Sequence, residues 1–110
     1  MTENIKDMLE SIKRVDGVDK VVLVSRTGMF MGGDEFENQD TFSAMSAIVL
    51  GASETATSAI GNVEKIIVNL NNGHKLIITP AGKRGVLAVL AQKDVHEKIK
   101  DLLEKLKELL

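Results

Sequence analysis

A chain of 110 residues with no cysteine has no disulfides, thiolate metal sites, iron–sulfur clusters or thiol chemistry, and it suits a reducing compartment. Sixteen acidic and fourteen basic residues leave a formal charge of -2, without the Lys/Arg stripe that nucleic-acid binding requires. The length is that of one domain, large enough to bury about two thirds of its unfolded surface unaided.

Residues 1–14 are charged and lack an apolar signal core, which predicts a cytoplasmic protein. A single Pro, no Cys and abundant Lys and Glu also suit tolerance of heat. Ile5, Met8, Leu9, Ile12 and Val15 recur at helical spacing, with Thr2 as a cap and Gly17 past the end. Val18 to Ser25 is a β-branched run. Arg26-Thr27-Gly28 then forms a tight connection into Met29 to Gly33, which makes the first hairpin. Asp34, Glu35, Glu37 and Asp40 form an acidic loop before the next helix, where negative charge complements the macrodipole; a metal site is the alternative.

Thr41 to Gly61 reads as one long helix of Ala, Ser, Thr and Gly. On a helical wheel, Phe42, Met45, Val49, Ala52, Ala56 and Ile60 form a stripe expected to cover a sheet. The opposite stripe, Ser43, Ala47, Leu50, Gly51, Glu54 and Ser58, carries one charge and is expected to meet another protein chain. Glu54 and the hydroxyl side chains argue against a membrane span.

Lys65 to Leu70, the Asn71-Asn72-Gly73 turn and His74 to Thr79 make a second hairpin. A longer connection, Pro80 to Gly85, leads into Val86 to Ala91. Asp94 and Glu97 stand at capping-box spacing before a leucine-rich closing helix from Val95 through Leu110. Several strands are apolar at both alternating sets of positions, so the sheet must be covered on both faces. The expected fold is α+β: a five-stranded antiparallel sheet in the order α-β-β-α-β-β-β-α, with the long helix on one face and the two terminal helices on the other.

This order, with its local motifs, resembles the Roadblock/LC7 family. The motifs are Val15-Asp16-Gly17-Val18 entering the first strand, Ser25-Arg26-Thr27-Gly28 at the hairpin and Gly32-Gly33 before the loop. The Ala- and Ser-rich helix and Ile77-Ile78-Thr79-Pro80 complete the set. The resemblance implies a homodimer whose long helices pack together and whose third strands pair into one sheet. Ala47, Leu50, Gly51, Glu54 and Ser58 would then lie at the helix contact, with Ile66 and Val68 in the paired strand, Glu64 to Leu70. It also implies a scaffold or regulator of a small Ras-like GTPase, or a subunit of a motor or signalling assembly. Arg26 and Arg84 in the connections, and Asp34, Glu35 and Glu37 in the acidic loop, are the polar groups available to read such a partner. The closing helix is longer than in the shortest members; its leucines either pack on the sheet or bind a partner.

No intrinsic chemistry is expected. Neither Gly32-Gly33 nor Gly82-Lys83-Arg84-Gly85 fits a phosphate-binding loop. His74 and His96 have no second ligand at metal spacing and are expected at the surface. No serine sits in a nucleophile elbow, and Asp34 and Glu35 are too close in sequence to set a carboxylate separation. Arg26 or Arg84 could serve as an arginine finger. The reading is a non-catalytic, cofactor-free dimeric adaptor that does not bind nucleic acid. A small-ligand sensory module and a structural assembly subunit stand as alternatives.

Overall fold

The structure is a computed structural model that describes residues 4–110. In chain order it contains α1 (Ile5–Lys13), β1 (Val18–Ser25), β2 (Phe30–Gly33), α2 (Gln39–Thr57), β3 (Ile66–Asn69), β4 (Lys75–Ala81), β5 (Gly85–Ala91) and α3 (His96–Leu109). Thr2, the expected cap of α1, lies outside the described residues. Asn4 does that work, its Oδ1 accepting from the Asp7 N–H at 2.9 Å.

The five strands lie in the order β2-β1-β5-β4-β3, all antiparallel. Leu23 stands opposite Leu87, which stands opposite Thr79, and Val22 aligns in the same way with Ala88 and Ile78. Because strand side chains alternate faces, these rows feed two separate cores. Val21, Leu23, Leu87, Val89 and Ile77 pack under α1 and α3 with Met8, Leu9, Ile12, Ile99, Leu103 and Leu106. Val22, Val24, Val86 and Ile78 face the other way, under Leu50 of α2. The layers are those expected from the doubly apolar strands. The closing helix packs on the sheet through Leu103 and Leu106, while Leu109 remains 37% exposed.

Two boundaries differ from expectation. The connection beginning at Pro80 is shorter than expected, because β4 continues through Pro80 and Ala81 and turns over Gly82–Arg84. β3 ends its pairing opposite Ile78, so there is no β3 ladder at Pro80 for the missing N–H to interrupt. The long helix runs from Gln39 to Thr57 and not from Thr41 to Gly61, while Asp94, just before the N-cap residue Val95 of α3, has Oδ1 accepting from the His96 N–H at 3.0 Å.

Helix α2 is rotated about its axis relative to the expected orientation. Ser43, Ser46 and Leu50 are its buried residues. Met45, Val49 and Ile60, assigned above to the sheet side, are 49%, 38% and 85% exposed. Leu50 is completely buried within its own chain and so is not available for contact with another. The cause is steric: small hydroxyl side chains let the helix backbone approach the sheet, and Leu50, with Phe42 half-buried against the same core, fills the row between Val22, Val24, Ile78 and Val86.

A candidate pairing face and its charged surroundings

With α2 in this orientation, its outer surface consists of Met45, Ile48, Val49, Ala52 and Ala56, and Ile48 is 56% exposed. No lysine, arginine or carboxylate interrupts that stripe. At one end of the sheet lies β3, an edge strand paired only with β4. Ile66 is half-buried against the α2-side core, and Val68 and Leu70 are exposed at 37% and 39%. The outer helix face and the free strand edge are thus both uncovered, an apolar stripe and a row of unpaired backbone groups, the two features that most favour association.

Other residues named from the sequence are distributed differently. Ala47 and Gly51 are half-buried on the flank of α2, and Ser58 is exposed just past its end. A Cβ on Gly51 would meet nothing within 4 Å. Glu54 turns inward, where it forms an ion pair with Arg26. Arg26 itself is spent within the fold: its Nε donates to the Gly85 carbonyl at 3.1 Å and Nη2 to that of Gly82 at 3.0 Å. Arg84 is exposed, and its backbone carbonyl accepts from the Arg26 N–H at 3.0 Å.

The acidic loop also divides. Asp34 accepts from Lys13 Nζ at 2.6 Å and from the Val21 N–H at 3.0 Å. Partial burial works to raise its carboxyl, but the Lys13 ammonium and the Val21 N–H outweigh this and hold it below its ordinary value. Glu35 and Glu37 are exposed. Asn38, in a left-handed conformation, precedes α2 without a side-chain cap bond, and Asp40 is the acidic residue of the first turn.

The histidines are not surface groups as expected. His96 is 3% exposed, with Nδ1 3.6 Å from Glu64 Oε1. His74 is half-buried, with Nε2 3.2 Å from Asp19 Oδ2. Both come inward because segments distant in sequence converge there. Among the described residues no group of three or more His, Asp or Glu side chains is arranged to hold a metal. Among them, too, no helix is long and apolar enough to cross a membrane. A groove of about 560 Å³ runs between α1 and β2 over Ile5, Leu9, Val21, Met31 and Gly32, with Lys6 and Lys13 at its rim.

A five-stranded antiparallel sheet between one long helix and a pair of terminal helices defines a three-layer α+β domain whose long helix has an apolar outer face. The Roadblock/LC7 domain profile matches residues 4–91, and the chain belongs to the Roadblock/LC7 family. Solved structures share the fold. The Myxococcus xanthus protein MglB superposes with a TM-score of 0.84 at 16% identity, over 96% of this chain and 93% of that one. A Roadblock/LC7 domain from Streptomyces avermitilis gives 0.77 at 19% identity over the same shares, 96% and 93%. The gliding protein MglB of Thermus thermophilus gives 0.73 at 16%, over 94% and 88%. No curated protein matches in sequence.

Proposed function

We propose that the chain is a non-catalytic homodimeric adaptor that regulates a small Ras-like GTPase in the cytoplasm. The observation that carries the dimer is the uncharged outer face of α2, Met45, Ile48, Val49 and Ala52, together with the open edge of β3. Two copies related by a two-fold axis would cover both helices at once and join the β3 strands of the two sheets. Ile66 and Val68 would lie in the joined strands, and Gly51 and Ser58 at the margin of the helix contact.

The GTPase part rests on family membership, since Roadblock/LC7 domains characteristically serve as scaffolds or regulators of such enzymes. Arg84, Glu35 and Glu37 are the exposed charges left to meet the partner. Arg26 and Asp34 act through the geometry of the neighbouring turns. Regulation would come from binding one nucleotide state of the switch regions better than the other, and would be only as strong as that difference.

Light scattering during gel filtration should give about twice the 12.0 kDa chain mass. Capture of GTPases from the source cell, repeated with GTP and GDP analogues, should yield one that binds unequally, and Arg84→Glu should weaken that binding while the dimer persists. A monomer at micromolar concentration removes the pairing reading. Failure of every GTPase to bind in either state removes the regulatory one. The groove between α1 and β2 favours a second reading, a small-ligand sensor, because its volume lies in the range of ligand pockets. Met31→Trp, which would fill that groove, should leave GTPase binding intact if the adaptor reading holds.

A further inference from the structure

Helix α2 is long but shallowly seated. Of its 19 residues only Ser43, Ser46 and Leu50 are buried, so a single fully buried aliphatic side chain ties it to the sheet. Near its N-terminal end Phe42 stacks on Phe36, and Gly28 lies so close that a Cβ there would stand 3.0 Å from the Ala44 Cα. Beyond Leu50 the last two turns, residues 51–57, have no buried side chain. Arg26 holds them instead.

One guanidinium reaches three segments: Nη1 the Glu54 carboxylate of α2, Nε the Gly85 carbonyl that opens β5, and Nη2 the Gly82 carbonyl of the β4–β5 turn. The rigid fork of five donors allows one side chain to serve three acceptors in fixed directions, which an ammonium group cannot do. Under the same end of the helix lies a cleft of about 520 Å³ bounded by Glu54, Ser58, Val63, Pro80, Lys83 and Lys107. The helix has somewhere to tilt if the guanidinium lets go.

We infer that Arg26 is a strut that sets the tilt of α2 and couples the tip of the domain to the pairing face. The tip consists of the turns Thr27–Met29 and Gly82–Arg84, where Met29 is 68% exposed and Arg84 is free of side-chain partners among the described residues. A partner seated on these turns displaces the carbonyls that hold Arg26. Glu54 moves with it, and the stripe of Met45, Ile48, Val49 and Ala52 turns relative to β3. This role rests on the pairing reading above, and it is a positioning role, since Arg26 touches neither the second copy nor the partner. Without the strut, α2 samples the cleft, and each pairing event must first order the helix.

The test measures dimer dissociation constants of the full chain by sedimentation equilibrium for Arg26→Met, Glu54→Gln and the double variant. Each single change should weaken pairing about tenfold. The double variant should be no weaker than the weaker single one, because both remove the same strut. Arg26→Lys should restore only part of the loss. Ile99→Val, which loosens the core on the opposite face of the sheet, should leave the constant unchanged. Unchanged constants in Arg26→Met and Glu54→Gln, or an equal loss in Ile99→Val, overturn the strut. If the unmodified chain is monomeric, the pairing reading fails instead, and the strut is read by hydrogen exchange. Amides of residues 53–57 should then exchange faster in Arg26→Met while those of α1 do not, and no local change there overturns it.

Discussion

Leu50→Ala separates the two possible orientations of α2. In the structure Leu50 is completely buried, between Val22, Val24, Ile78 and Val86. These neighbours are β-branched and fixed on a hydrogen-bonded sheet, so they cannot collapse into the space that truncation leaves. The loss should therefore fall near the middle of the range for buried leucines, about 3 kcal/mol. For 110 residues, an unfolding entropy of about 2.1 cal/mol/K per residue gives about 0.23 kcal/mol/K, and the melting temperature should fall by about 13 °C. Thermal unfolding followed by circular dichroism is the assay, run at two protein concentrations because pairing adds to apparent stability. Ile48→Ala is the comparison: 56% exposed, it should cost the lone chain under about 1 kcal/mol while weakening the dimer. A Leu50→Ala protein that melts within a few degrees of the unmodified chain but no longer pairs would refute the orientation and restore the stripe through Leu50 and Glu54 as the contact.

Three further substitutions probe the backbone and the charges. Gly51→Ala should stabilise the chain by about 0.5–1 kcal/mol in urea unfolding, because a Cβ there meets nothing within 4 Å and alanine favours the helix; destabilisation would put Gly51 inside a close contact. Gly33→Ala should cost about 3 kcal/mol by the same measurement, since Gly33 has φ +99° and its Cβ would stand 2.2 Å from the Val21 carbonyl oxygen. The Lys65 ammonium, and then the His96 N–H, hold the Asp94 carboxyl below its ordinary value of 3.8. A depressed folded-state value means that Asp94 contributes stability above 3.8, and that the contribution is lost as pH falls from there through the lower folded-state value. Asp94→Asn should therefore flatten the acid limb of a plot of stability against pH, and an unchanged limb would show the pair to be screened by solvent.

The strands were legible because their signals are local. Val18–Ser25 is a β-branched run that needs no partner to be recognised, and Gly73, with φ +92°, is the left-handed residue that closes the β3–β4 turn. The role of Arg26 was not legible, because its acceptors at Gly82 and Gly85 lie 56 and 59 residues away along the chain. An arginine in a hairpin connection is ordinarily solvated; only the closing of β1 against β5, with Ser25 opposite Gly85, brings those carbonyls to it. The burial of His96 has a similar origin, since Glu64 comes within reach only when the chain entering β3 passes the start of α3.

The rotation of α2 has a more general cause. Amphipathic reasoning assigns the most apolar stripe of a helix to the core, on the premise that the other side meets water. Here that rule selects Met45, Val49 and Ala52, whereas the sheet takes Ser43, Ser46 and Leu50. The rule fails when neither side of the helix is made for solvent. A sheet face already filled by Val22, Val24, Val86 and Ile78 needs little from the helix except close approach, which small hydroxyl residues permit. The larger apolar side chains are then left facing outward, where 49% exposure of Met45 and 56% of Ile48 would each forfeit part of the roughly 1.5–3 kcal/mol that full burial of such a side chain is worth. With the smaller and more polar stripe of α2 turned to its own sheet, the larger stripe is the surface that the proposed pairing would cover. The failed expectation and the proposed dimer thus have the same physical origin.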